Sequence, residues 1–123
     1  MIRAATLALL ALTLPASAQS RFDGAWTSRD ASSCNPASDS VIRIQGDQLR
    51  YWESGCQLGN PVAVRDLDAT LYDADCSGEG ETWRTRLMLA LTPEGQLLHL
   101  NQYGAMMLTA CPPGSTAPAA PGK

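Results

Sequence analysis

The stretch Val41-Ile42-Arg43-Ile44-Gln45-Gly46-Asp47-Gln48-Leu49-Arg50-Tyr51-Trp52 decides the fold. Two runs of alternating apolar and polar residues flank a Gly-Asp pair, and alternation with period two marks a strand with one buried face. A two-residue Gly-Asp loop suits a primed hairpin turn, because glycine tolerates positive φ there. Pairing Gln45 with Gln48 sets Ile44 against Leu49 and Ile42 against Tyr51 on one face. Val41, Arg43, Arg50 and Trp52 share the other. Continued outward, the same register puts residue 37 opposite Cys56 and brings Cys34 within a short loop of it.

The pattern repeats along the chain. Thr82 to Leu91 and Gln96 to Tyr103 form a second hairpin turning at Pro93-Glu94-Gly95. Leu87, Leu89 and Leu91 alternate on one strand, and Leu98 and Leu100 on the other. Matching these apolar faces sets Leu89 opposite Leu98 or Leu100. Ala25–Ser28, Val62–Leu67, Ala69–Asp75 and Ala105–Ala110 are further candidate strands. Eight short strands in sequence-adjacent order predict an all-β fold, a small up-and-down antiparallel β-barrel. Closure into a ring removes exposed edges.

Both ends of the chain fall outside this domain. Met1-Ile2-Arg3, the apolar run Ala4–Leu14 and Pro15-Ala16-Ser17-Ala18 have the three parts of a secretory signal peptide. Eleven apolar residues rise only about 16 Å as a helix, too short to anchor the chain across a hydrocarbon core of roughly 30 Å. Residues 1–18 are therefore read as a signal peptide and 19–111 as the barrel domain. Pro112 to Lys123, PPGSTAPAAPGK, has no large apolar residue and is expected to be a disordered tail. The reading places the protein in the periplasm of a bacterium or outside the cell. A monomer is expected.

Composition narrows the function. The chain has 9 Lys+Arg against 12 Asp+Glu, and the only lysine is the last residue. Nucleic-acid binding needs many cations to neutralise phosphates, so it is excluded as an expectation. The four cysteines, Cys34, Cys56, Cys76 and Cys111, form no C-x-x-C pair and read as two disulfides in an oxidising compartment. Four cysteines allow three connectivities. Hairpin arithmetic favours Cys34–Cys56, and less directly Cys76–Cys111.

Gly24-Ala25-Trp26, on the first strand, resembles the G-x-W signature of calycin-type barrels, the superfamily of lipocalins, avidins and bacterial metalloprotease inhibitors. The resemblance implies a tryptophan packed across the barrel floor, with Gly24 and Trp26 as the signature residues. Over Phe22 to Leu58 the order of signal peptide, G-x-W and hairpin cysteines is similar to that of the periplasmic metalloprotease-inhibitor family. Such inhibitors insert an N-terminal segment into the protease cleft, which here would be Gln19 to Asp23. Cys76 and Cys111 lie outside the resemblance. The S-G-x-x-Y motif of bacterial lysozyme inhibitors is not completed after Ser54-Gly55 or Ser77-Gly78.

Few residues carry chemistry. His99, the one histidine, sits on the face opposite Leu98 and Leu100 and is expected to face solvent. No second base or spaced carboxylate pair accompanies it, so no catalytic residue is assigned and the chain is not expected to be an enzyme. Asp73-Ala74-Asp75-Cys76-Ser77-Gly78 resembles the start of a calcium loop, but Arg84 stands where the twelfth-position glutamate belongs. Neither metal nor cofactor is expected. The acidic run from Asp66 to Glu81 reads as a solvated loop, or as a rim that steers a cationic protein. Trp83 shares parity with Leu87 and Leu89 and is expected to be buried. Trp52, flanked on its face by Arg43 and Arg50, is a candidate interface anchor; the competing reading has it covering the barrel end. These features predict a secreted binding protein that recognises another protein, of the hydrolase-inhibitor type. The alternative is a lipocalin-like carrier of one small apolar ligand.

Overall fold

The computed structural model describes residues 20–116, so the expected signal peptide and the last seven residues lie outside it. Eight antiparallel strands follow one another around a closed barrel: β1 (Gly24–Thr27), β2 (Val41–Gln45), β3 (Gln48–Arg50), β4 (Ser54–Ala63), β5 (Ala69–Gly78), β6 (Glu81–Leu91), β7 (Leu97–Asn101) and β8 (Gly104–Ala110). The expected up-and-down barrel is thus the observed architecture. β8 closes the ring on β1 through Trp26 opposite Ala110 and Thr27 opposite Thr109. The Cys111 amide extends that seam by donating to the Ala25 carbonyl at 2.8 Å.

The first hairpin has the register that its alternation implies, with Gln45 opposite Gln48 and Ile44 opposite Leu49. Gly46 turns it at φ 59°. Its second strand is shorter than expected. β3 ends at Arg50, the chain turns through Tyr51–Glu53, and β4 begins at Ser54. Because the chain has already reversed, Cys56 lies beside Leu49 on β3 and Cys76 on β5, not near residue 37. The cysteine pairing therefore differs from the favoured one: the bonds are Cys34–Cys111 and Cys56–Cys76. Cys56 and Cys76 are direct cross-strand neighbours inside the barrel. The turn at Tyr51–Glu53 ends the ladder that would have carried Cys56 towards Cys34.

β4 also departs from expectation. The segment Ser54–Ala63 shows no clean alternation because Gly55, Gly59 and Pro61 interrupt it, and the expected strand at Val62–Leu67 is instead its last residues and the following turn. A register shift between Gly59 and Val62 absorbs Asn60, at φ 49°, and Pro61. Such a bulge is one of the few places a strand accepts proline.

The register of β6 with β7 is offset by one residue from the leucine-to-leucine match. Leu89 pairs with His99 and Leu91 with Leu97. The turn dictates this. The Thr92 amide donates to the Gln96 carbonyl at 2.9 Å, leaving Pro93-Glu94-Gly95 as a three-residue loop with Gly95 at φ 83°. A three-residue loop with a left-handed glycine is a standard hairpin connection, and its odd length sets the parity of the following strand. Leu97 and His99 therefore face inward, while Leu98 and Leu100 join Met88 and Ala90 on the outer wall.

Phe22, Trp26, Ile42, Ile44, Leu49, Cys56, Leu58, Ala74, Cys76, Leu87, Leu89, Leu97 and Leu108 form one buried cluster filling the interior, with Tyr51, Tyr72 and Leu91 packed against it. The Trp26 indole N–H donates to the Phe22 carbonyl at 2.9 Å. Outside the ring, residues 28–40 fold back over β1 and β2 with one 3₁₀ turn at Ala31–Ser33. They cover Thr27 and Val41, which are buried although they point outward. Thr27 Oγ1 lies 2.7 Å from Ser33 Oγ, and Cys34–Cys111 pins the strap to the end of β8. The first part of the expected tail, Pro112 to Thr116, folds into turns against β2, where Arg43 Nη2 donates to the Thr116 carbonyl at 3.1 Å.

Non-reducing peptide mapping is expected to recover Cys34–Cys111 and Cys56–Cys76. The former closes a separation of 77 residues and the latter one of 20. Chain entropy then makes removal of Cys34–Cys111 cost about 4–5 kcal/mol and removal of Cys56–Cys76 about 3 kcal/mol before packing losses, read from urea midpoints of the paired Cys→Ala variants.

Candidate functional site

An up-and-down barrel puts alternate turns at the same end. The β3–β4, β5–β6 and β7–β8 turns therefore share one end, together with the start of the 28–40 strap. Each of these three hairpins carries an exposed aromatic residue. Trp52 in the β3–β4 turn is 54% exposed, Trp83 near the β5–β6 tip 40%, and Tyr103 in the β7–β8 turn 79%. Met106, opposite His99 on β8, is also exposed.

The expected burial of Trp83 does not occur. Its parity is inward, and it pairs with Cys76, but the β5–β6 hairpin runs past the end of β7, where there is no opposite wall to pack against. Thr85, two residues nearer the ring, is the first buried residue of β6. Parity gives the direction of a side chain, and only the length of neighbouring strands decides whether anything lies there.

Two turns meet closely at this end. A Cβ on Gly78 would stand 2.6 Å from the Glu53 carbonyl oxygen and 2.6 Å from Ser54 Cβ. Only glycine permits that approach, which sets Glu53 beside Glu79. The Glu53 carboxyl is pushed above its ordinary range by a hydrogen bond to Glu79, by repulsion between the two, and by slight desolvation. Glu79 and Gly80 both have positive φ, 50° and 79°, the signature of a type I′ turn. Asp73 and Asp75, farther down β5, pair with Arg86 and Arg84 across the outer wall at 3.3 and 2.7 Å. The Asn60 amide, and then Arg86, hold the Asp73 carboxyl below its ordinary range. The calcium-like sequence is thus a hairpin with its first two carboxylates paired to arginines. No group of three or more potential metal ligands occurs among the described residues.

His99 is a second correction. It is 3% exposed, inside the barrel, and its Nε2 lies 2.6 Å from Tyr51 Oη, with the rings edge to face. The one-residue register offset placed it there. Burial lowers the imidazole pKa, partly opposed by a hydrogen bond to its own backbone, and burial pushes Tyr51 up to about 12. The pair is consistent with a phenol donating to a neutral imidazole. His99 is buried and Tyr51 partly so, and the signal that could have found the pair was the odd length of the Pro93-Glu94-Gly95 loop.

The expected partner-binding residues are divided. Arg43 and Arg50 are cross-strand neighbours on the outer wall. Arg43 is engaged with Thr116 and Arg50 lies along Gly55. Trp52 is beyond the strand, on the rim; the cation–π contact among the described residues is Arg21 over Phe22. At the other end of the barrel, Ser20 to Asp23 are fastened down. Phe22 is in the core, Asp23 accepts from the Gly46 amide at 2.8 Å, and Arg21 reaches Thr70 and Asp68. Trp26 pairs with Ala110 at the closing seam, and Gly24 pairs with Ile44 on β2. A cleft of about 510 Å³ lies there, between Arg21, Trp26, Leu91, Pro112 and Pro113.

No protein-family model, curated protein or solved structure matches this chain. Two disulfides in a domain this small fit an extracellular or other oxidising location. No helix among the described residues is long and apolar enough to cross a membrane.

A histidine buried in its neutral form makes stability depend on pH. Below the ordinary imidazole value of 6.5 the unfolded chain takes up a proton that the folded barrel resists, so stability falls as pH drops through that value towards the lowered folded pKa. Thermal melts between pH 7.5 and about 5 are expected to show this loss. His99→Gln should flatten the profile in that window while lowering stability overall.

Proposed function

We propose that this chain is a secreted, periplasmic-type binding protein that recognises another protein, in the manner of a hydrolase inhibitor, through the rim formed by Trp52, Trp83 and Tyr103. The observation that carries the reading is the exposure of three aromatic residues on three neighbouring turns at one end of a barrel whose interior is filled. Exposed tryptophan and tyrosine are the side chains most often responsible for protein–protein binding energy, since each supplies a large apolar area for little conformational entropy. The carboxylates of Glu53, Glu79 and Glu81 at the same end favour a basic partner and speed its approach. A packed interior supports surface recognition over carriage of an apolar ligand. The burial of His99 supports binding over catalysis.

This reading moves the contact away from Gln19–Asp23, the segment that the metalloprotease-inhibitor resemblance puts forward. Ser20 to Asp23 lie at the opposite end, with Phe22 in the core and Asp23 accepting from the Gly46 amide, so they are not free to enter a cleft.

Calorimetry and inhibition assays against a panel of basic secreted proteases and lysozymes test the proposal. At least one member should bind, and Trp52→Ala or Trp83→Ala should weaken that complex by about tenfold or more, the loss of a hot-spot side chain. A panel without a binder, or a complex indifferent to all three rim aromatics, overturns it. Native mass spectrometry of protein taken directly from the periplasm separates the carrier alternative, which requires a bound mass of a few hundred daltons, about one small lipid-sized molecule.

A further inference from the structure

β6 outruns the strand that follows it. It pairs with β5 from Glu81 to Ala90, but its ladder with β7 begins only at Leu87. Among the described residues, Glu81 to Arg86 therefore has a hydrogen-bonded neighbour strand on one side only. Hairpin geometry identifies the open backbone groups. Gly78 and Glu81 close a two-residue type I′ turn and so form a hydrogen-bonded pair, and such pairs recur at every second residue. Glu81, Trp83 and Thr85 direct their N–H and C=O groups to β5. Thr82 and Arg84 direct theirs to the open side, while Arg86, next to the Leu87–Asn101 pair, faces Gln102 of the β7–β8 turn.

The surroundings of this edge are asymmetric in charge. Arg84 and Arg86 are already paired with Asp75 and Asp73 on the outer wall. At the tip, Glu53, Glu79 and Glu81 have no ion-pair partner among the described residues. Two of these carboxyls are close enough to repel one another, and a cation placed between them relieves that repulsion. Exposed Trp83 stands in the middle of the open stretch.

We propose that the open edge of β6, Thr82 to Thr85, accepts an extended segment of a basic partner protein as an added antiparallel strand, with the basic C-terminal end of that segment over Glu53, Glu79 and Glu81. An unpaired row of N–H and C=O groups is a template that only another extended backbone satisfies. A second copy of this chain fits less well. Two-fold pairing centred on Arg84 sets that residue against its own copy, and pairing centred on Trp83 brings to the tip only Arg84 and Arg86, which are already paired with Asp75 and Asp73. The inference rests on the protein-recognition reading above and specifies how the contact is made.

The test uses the ¹⁵N-labelled protein and a capped heptapeptide, Thr-Val-Thr-Val-Thr-Lys-Lys. Binding should slow amide exchange at Thr82 and Arg84 and leave Trp83 and Thr85, already bonded to β5, unchanged. Arg84→Pro removes one open N–H without touching the β5 ladder, and should weaken the peptide complex by about tenfold. Arg84→Ala, which loses the same ion pair with Asp75 but keeps the N–H, should stay within about twofold, as expected of an exposed pair. If the NMR fingerprint shows that Arg84→Pro does not fold, Thr82→Pro serves in its place. Replacing the two lysines by glutamates should weaken binding. Absence of the alternating protection, equal affinity of Arg84→Pro and Arg84→Ala, or protection that grows with protein concentration without peptide overturns the proposal, the last in favour of self-pairing. A hydrolase complex lost on Trp52→Ala but indifferent to Arg84→Pro would leave the recognition reading standing and remove strand addition alone.

Discussion

The structure depends on the closure of β8 onto β1. Two residue pairs and one further amide, from Cys111 to Ala25, make that seam, and without it both strands would be exposed sheet edges. It is short because β1 has only four residues. The chain reinforces it from both sides. Inside, Trp26 packs into the core and donates its indole N–H to Phe22. Outside, the strap of residues 28–40 covers Thr27 and Val41, and Cys34–Cys111 ties the strap to the end of β8. A domain of fewer than a hundred residues buries too little apolar surface to rely on packing alone, and the placement of the longer-range disulfide at the weakest seam reflects that.

The two ends of the barrel consequently differ. At one, Ser20 to Asp23 and the turns around Gly46 and Pro112 knit together through hydrogen bonds and an ion pair. At the other, hairpins of unequal length project beyond the ring. Tall β5–β6 and shorter β7–β8 leave Trp83 without an opposing wall and leave part of β6 without a neighbour. The like-charged Glu53 and Glu79 approach one another there because Gly78 allows two turns to touch. Exposed aromatics, uncompensated carboxylates and an open backbone edge all lower the stability of an isolated domain, and all would be offset by a bound partner. Their concentration at one end is the physical basis for reading that end as the contact surface.

Much of the architecture was legible in the residues. Alternation in Val41–Arg50 with Gly46-Asp47 between gave the first hairpin its register, and recurrent alternation gave eight antiparallel strands. Legibility failed where a turn lacked a recognised signature. Tyr51–Glu53 contains neither glycine nor proline, so the reversal there was missed and the disulfides were mispaired. The loop Pro93-Glu94-Gly95 was recognised, but not its three-residue length in the ladder, and this exchanged the faces of β7. His99 and Leu98 traded places as a result. Of the rim, Trp52 was identifiable as a candidate anchor from its neighbours in the chain, whereas Trp83 and Tyr103 were not.

Local sequence thus determined most of the strand segments, though not β4, and also that adjacent strands pair antiparallel and that four cysteines staple the domain. These properties follow from side-chain periodicity and from turn conformations spanning a few residues. The tertiary structure alone decided which cysteines meet, that a histidine lies inside against Tyr51, and that Trp52, Trp83 and Tyr103 gather at one end. Each of those depends on how far one strand extends past its neighbour around a closed ring. Stagger is a property of the whole circuit of hydrogen bonds, and no single hairpin encodes it.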